Sequence, residues 1–221
     1  MRGADRVGGA AVAGGDQDHA GKCRGDKGWA GYYAKTSERP PRETLLSALG
    51  RFEAEGKTGV AVDLGCGGGR DTVELLRRGW HVLAIDAEAA AIDFLRSRAD
   101  LPATCALETR IARMEAAALP PCDLVNSSFA LPLCPPERFP ALWARIVAAL
   151  RPGGRFAGQL YGDRDSWAGD PTLTHHARAE AEALFAGFAI ESFREEESDS
   201  TTPRGTAKHW HIFHAVARKA G

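Results

Sequence analysis

Long apolar runs are missing from this chain of 221 residues. No stretch approaches the roughly 20 residues needed to cross a bilayer, and "VGGAAVAGG" near the start is too glycine-rich and too weakly apolar for a secretory signal. Cysteine is sparse as well. Cys23, Cys66, Cys105, Cys122 and Cys134 form no C-x-x-C pair, and their odd number suits reduced thiols better than a disulfide framework or a cysteine-built metal site. With no span, signal or framework, a cytoplasmic protein is predicted. Charge of one sign in excess is also lacking: 28 Lys plus Arg stand against 29 Asp plus Glu, with no dense basic block. That argues against an electrostatic grip on nucleic acid or on an anionic membrane, and for a small or neutral partner. Nothing in the composition specifies an oligomeric state.

The 44% hydrophobic and 26% charged residues that are present suit one well-buried domain. Eight of the 25 glycines fall in residues 1–28, a segment with too little apolar surface to offset its ordering entropy, so a disordered tail is predicted there. The composition changes at Trp29, and the domain is expected to occupy residues 29–221.

Short apolar runs then alternate with helical patterns. "GVAVDLG" reads as a strand, followed by a helix to about Arg78; "HVLAID" is the second strand, followed by a helix from Ala87 to Arg98. A third strand is placed around Cys105 to Met114, and "CDLVNSS" is the fourth. The next helix shows one apolar stripe of Phe139, Leu142, Trp143, Ile146, Val147 and Leu150; "RPGG" stops it and "RFAGQLY" is strand five. A helix from about Thr174 to Ala186 precedes "FAIESFREEE" and "KHWHIFHAVARK", which flank the turn-rich "SDSTTPRG" as a hairpin, so the last strand is expected to run antiparallel. The predicted architecture is an α/β, Rossmann-like three-layer sandwich around a seven-stranded, mostly parallel sheet.

The chemistry concentrates in "VDLGCGGGRD". Asp63 ends the first strand, Gly65 and Gly67 let backbone approach a ligand closely, and the following helix start offers N–H groups to an anionic group. Asp86 ends the second strand, where a carboxylate can accept both hydroxyls of a ribose. A nucleoside-type ligand is the expectation. The dinucleotide fingerprint G-x-G-x-x-G fails, because its sixth place from Gly65 is Arg70, and a Walker A loop would need G-K-[ST]. An NAD(P)-dependent oxidoreductase is therefore the lesser alternative.

With "VDLGCGGGR", "LAIDAE", "PPCDLVNSSFAL" and "LRPGGRF" in this order, the chain resembles the class I S-adenosylmethionine-dependent methyltransferases from about Trp29 to Lys219, and among them the small stand-alone, tellurite-resistance-like type. The resemblance implies an enzyme that transfers a methyl group from S-adenosylmethionine by in-line displacement; a non-catalytic binder of the same cofactor is the alternative. It implies that Asp63, Gly65 and Gly67 surround the amino-acid end of the cofactor, that Asp86 holds its ribose, and that Ala87, Met114 and Glu115 lie near the adenine. Asn126 would face the methionine part. Arg70 would meet the cofactor carboxylate or remain an exposed helix-start residue. Trp29, Tyr32 and Tyr33 would form a lid over the sulfonium or dock on the core.

Ligands of open α/β sheets bind beyond the carboxyl ends of the parallel strands. Ser127, Ser128, Phe129, Gln159, Tyr161, Asp165 and Glu197 fall there, and the start of the reversed last strand brings His209, Trp210 and His211 to the same edge. His209, His211 and Tyr161 are the candidates for a base or an acceptor-orienting group; the histidines are alternatively the hydrogen-bonded polar tips of an interior strand. His175 and His176 form a second pair, with no third residue to suggest a metal. A small-molecule methyl acceptor is expected.

Overall fold

The computed structural model describes residues 39–104, 106–202 and 205–221. The expectations for the tail, for Trp29, Tyr32 and Tyr33, and for Cys105 lie outside them. Helix α1 (Glu43–Ala54) begins directly after "RPPR", where the two prolines hold the entering chain extended. It buries Leu45, Ala48, Leu49 and Phe52, the i, i+3, i+4, i+7 face of a helix.

There follow β1 (Val60–Leu64), α2 (Arg70–Arg77), β2 (His81–Asp86), α3 (Ala89–Arg96), β3 (Leu107–Ile111) and β4 (Cys122–Ser127). Then come α4 (Phe139–Ala149), β5 (Leu150–Gly162), β6 (His175–His176), α5 (Arg178–Ala183), β7 (Phe188–Thr201) and β8 (Ala207–Lys219). The sheet order is β3-β2-β1-β4-β5-β8-β7, with the two-residue β6 pairing to β5 off this path. β1 to β5 pair in parallel, and β8 runs antiparallel to both β5 and β7. The reversed last strand is as the hairpin pattern predicts. From β1 the chain winds to β2 on one side and later to β4 on the other, so the topological switch point lies at the carboxyl ends of β1 and β4.

Alternate strand residues serve opposite layers. Ala61, Ala84, Leu124, Ala157 and Val216 pack against α1, α2 and α3; Val62, Ile85, Val125, Phe156 and Phe213 pack against α4 and α5. A one-residue register slip would exchange the two sets between layers, which pins the pairing.

Three sequence expectations are corrected. The single helix from Thr174 to Ala186 is instead β6 followed by the short α5: His175 and His176 pair with Tyr161 and Gly162, and Thr174 donates its hydroxyl to the Cys134 carbonyl at 2.6 Å. Long-range pairing overrides local helical pattern there. The helix expected from Ala87 begins at Ala89, because the Asp86 carboxylate accepts the Glu88 N–H at 2.9 Å in a turn. Leu150, placed in the helical stripe, is the first residue of β5.

Candidate functional site

The glycine loop is fastened to the end of β2. Gly65 and Cys66 both donate their N–H to the Ile85 carbonyl, at 2.8 and 3.0 Å, and Gly67 donates to Asp86 Oδ2 at 2.8 Å. Gly65, Gly67 and Gly69 adopt φ values of 76°, 52° and 79°, the left-handed region that side chains disfavour. A Cβ on Gly65 would collide with that of Ala130, and one on Gly69 with the Leu95 side chain. The loop is thus a rigid turn whose backbone is bare of side chains. Asp86 accepts one N–H on each oxygen, from Gly67 and Glu88. A carboxylate offers about four acceptor positions, so its remaining ones can take hydroxyl groups. Burial raises the Asp86 pKa, against the pull of the Glu88, Gly67 and Ala87 backbone.

Beside Asp86 the surface is apolar. Ala87 is exposed, and Ile111, which pairs in register with Asp86, is 54% exposed. Ile111 was not singled out from sequence; its position at the end of β3 is the signal that could have found it. Met114 is half-buried against the core, while Glu115 is ion-paired to Arg113. Arg70 donates its Nε to the Pro40 carbonyl at 2.5 Å, which ties the segment before α1 to the start of α2.

Beneath the loop lies a buried acidic cluster. Asn126 Nδ2 donates to Asp63 Oδ1 at 2.9 Å and to Asp71 Oδ2 at 3.1 Å. Thr72 donates its hydroxyl to Asp63 Oδ2 at 2.5 Å, Ser128 to Asp71 Oδ2 at 2.6 Å, and the Arg42 N–H reaches Asp71 Oδ1 at 3.0 Å. Burial, with Asp71 close by, raises Asp63 to about 7 despite the Thr72 and Asn126 hydrogen bonds. Asn126 Oδ1 is buried without a partner among the described residues. Asp71 and Thr72 were missed by the sequence reading, which saw only a helix start. Burial likewise pushes the Cys66 thiol well above its usual range.

The structure separates the three acceptor-side candidates. Tyr161 sits on the α1 side of the sheet with Phe129, Trp167 and Trp210, ring centroids 6.1 to 6.4 Å apart. Phe129 holds φ 57°, its N–H donated to Gln159 Oε1 at 3.1 Å, and Gln159 in turn donates to the Thr44 hydroxyl at 2.9 Å. The Arg42 guanidinium lies 4.3 Å over the Phe129 ring. Lys208, with its side chain fully buried, pairs with Asp165 among Tyr161, Trp167 and Trp210 and braces this wall from behind.

His209 and His211 alternate to the opposite face of β8. His209 is half-exposed between Asp199 (2.8 Å) and Glu197 (3.1 Å), and His211 is buried, contacting Glu195 at 2.8 Å and accepting the Arg164 N–H at 3.1 Å. Glu197 is itself paired to Arg164. His175 stands 5.7 Å from Tyr161, and His176 packs 4.8 Å from Phe139. No group of three ligand-type side chains placed to hold a metal occurs among the described residues, and no helix among them is long and apolar enough to cross a membrane.

Residues 61–154 match the family described as "Methyltransferase domain". No curated protein sequence matches. Among solved structures the chain is similar to TehB from Haemophilus influenzae, with 18% identity, a TM-score of 0.68, and coverage of 88% of this chain and 66% of that one. This chain therefore spans slightly less than two thirds of TehB. It is also similar to the magnesium protoporphyrin IX methyltransferase of Synechocystis PCC 6803 solved with bound SAM (16% identity, TM-score 0.58, 89% and 85% covered). A third is the 1,6-didemethyltoxoflavin-N1-methyltransferase of Burkholderia thailandensis (21%, 0.55, 81% and 79%), solved with 1,6-didemethyltoxoflavin and S-adenosylhomocysteine. At these identities the likeness shows the fold. Residues 61–154 thus match a methyltransferase domain, and they lie within a fold that the chain shares with S-adenosylmethionine-dependent methyltransferases.

Proposed function

We propose that the methyl acceptor of this S-adenosylmethionine-dependent methyltransferase is a small molecule, received at the Phe129, Tyr161 and Trp210 wall beside the glycine loop. The observation that carries the cofactor half is the fastening of Gly67 to Asp86, which leaves bare backbone and a half-free carboxylate side by side. A nucleoside with an amino-acid tail fits this donor and acceptor set: hydroxyls on Asp86, a base against Ala87 and Ile111 with Met114 and Glu115 beyond, and the tail over Gly65 and Gly67 toward Asp63 and Asn126. Arg70, tied to the Pro40 carbonyl, holds the segment before α1 at the start of α2, and Tyr33 is the proposed cover.

The bound cofactor supplies an activated methyl group on a sulfonium. The chain's own work is alignment, an effect for which oriented intramolecular reactions allow about 7–11 kcal/mol. Phe129, held by the Gln159 clamp, and Tyr161 supply rigid faces against which an acceptor can be oriented. His209 and His211, on the other face of β8 with their ring nitrogens engaged by carboxylates and the Arg164 N–H, are not assigned this task. Two of the similar structures are methyltransferases named for small molecules, which supports the acceptor class. A cytoplasmic setting remains part of the proposal.

S-adenosylhomocysteine is expected to bind the full chain with a Kd in the micromolar range, and Asp86→Ala to weaken it at least tenfold. Titration calorimetry checks both; a folded wild-type chain without heat of binding overturns the reading.

A further inference from the structure

The glycine loop is held from two places, the end of β2 and the turn that follows α3. Gly67, Gly68 and Gly69 stand in succession, and glycine keeps more backbone freedom than any other residue, so a fixed shape there needs bonds from outside. Gly67 is tied through its N–H to Asp86, and Gly69 through its N–H to the Cys66 carbonyl at 3.0 Å. Gly68 is tied through its carbonyl, which accepts Arg98 Nη1 at 3.0 Å from 30 positions along the chain. The Gly68 carbonyl and the Gly69 N–H belong to one planar peptide unit, so that unit is gripped at both ends. Arg98 is itself aimed. Its Nε and Nη2 donate to Asp100 Oδ1 and Oδ2, each at 2.8 Å, and Arg77 at the end of α2 donates to the same Oδ2 at 2.9 Å. This paired fork turns Nη1 toward the loop, and the Arg98 side chain is 11% exposed. Leu95, in the last turn of α3, fills the space that a Cβ on Gly69 would need.

We propose that Arg98 is a positioning residue for the methyl-donor site, which sets the Gly68–Gly69 peptide before the donor arrives, with Asp100 holding Arg98 to that task. This assignment rests on the S-adenosylmethionine reading above. Arg98 acts through the loop backbone and not on the ligand. A ligand that meets a loop already in shape is spared the cost of ordering it; without the Arg98 bond that cost is subtracted from the affinity. The Arg77 contact to Asp100 extends the same support to the far end of α2, the helix that the loop begins.

The test uses Arg98→Met, which keeps most of the side chain's length and removes every donor, beside Arg98→Lys, which keeps a charged donor. Hydrogen exchange on the ligand-free full chain is read at residues 65–70 and, as a reference, along β1 and β4. In Arg98→Met the loop is expected to exchange at least about tenfold faster with the two strands unchanged, and calorimetry to show S-adenosylhomocysteine bound about tenfold more weakly, in line with the loss of a charged hydrogen bond. Arg98→Lys is expected to recover part of both. If Arg98→Met does not fold, Asp100→Asn, which loosens Arg98 without removing it, is judged by the same two measurements. Unchanged loop exchange or unchanged affinity overturns the assignment of Arg98 alone. So does faster exchange in the strands as well as the loop, which would make Arg98 a support of the whole fold. A wild-type chain that binds no S-adenosylhomocysteine overturns the cofactor reading and this assignment with it.

Discussion

Burial raises the Asp63 carboxyl from 3.8 to about 7, so between those values the native state keeps a proton that the unfolded chain has released. Stability rises with pH where the unfolded state binds more protons; here the native state does, so this group's contribution falls as pH rises through that window. Asp63→Asn removes the dependence. Relative to wild type, the variant is expected to be more stable at pH 8 than at pH 5, read as the difference in melting temperature at each pH; an unchanged difference counts against it. At this scale the sequence reveals what is local. Gly65, Gly67 and Asp86 declare themselves because the turn and the strand end are set by neighbours a few residues apart. Asp71 does not, because the groups that aim it lie 29, 55 and 57 positions away. Its only local sign is an acid in the first turn of α2, which the helix dipole alone would explain.

Between elements, Arg155 of β5 ties three pieces together. Its guanidinium, 2% exposed, pairs with Glu191 of β7 at 2.7 Å and with Glu55 at the end of α1, and lies 4.4 Å over the Phe52 ring. Removing one member of a buried pair leaves the other charges unpaired, at a cost of about 3–5 kcal/mol, and the partial exposure of both glutamates places this case at the lower end, about 3 kcal/mol. Arg155→Met is expected to lower the denaturant midpoint accordingly without changing the slope; a loss below about 1 kcal/mol would mean the pairs are balanced by solvent. Strands and helices with continuous apolar faces were legible, since β1, β2, β4 and α4 are buried in the pattern that their sequences spell out. The stretch from Thr174 to Ala186 was not, because its helical pattern competes with hydrogen bonds to Pro132, Cys134 and β5 that no local rule anticipates.

For the whole molecule, the described core begins with α1, whose apolar face closes one layer from Leu45 onward. The tail predicted from sequence for residues 1–28 leads to a test: a chain starting at Trp29 is expected to melt within about 2 °C of the full chain. It is also expected to bind S-adenosylhomocysteine equally well; a large drop in either by scanning fluorimetry or calorimetry would show that residues 1–28 dock. The sandwich and its reversed strand could be read from alternation and one turn-rich hairpin. Which side of β8 joins the aromatic wall could not be, because alternation divides His209 and His211 from Trp210 without saying which set packs with Phe129 and Tyr161. The position of β8 also governs timing. β7 reaches the sheet only through β8, which inserts between it and β5, so during synthesis the first five strands can assemble while β7, although already made, waits. Only when residues 207–219 emerge does the sheet gain its interior strand and its edge in one step. Until then β5 offers an open edge to any other chain at hand, and the last strand made is the one that closes it.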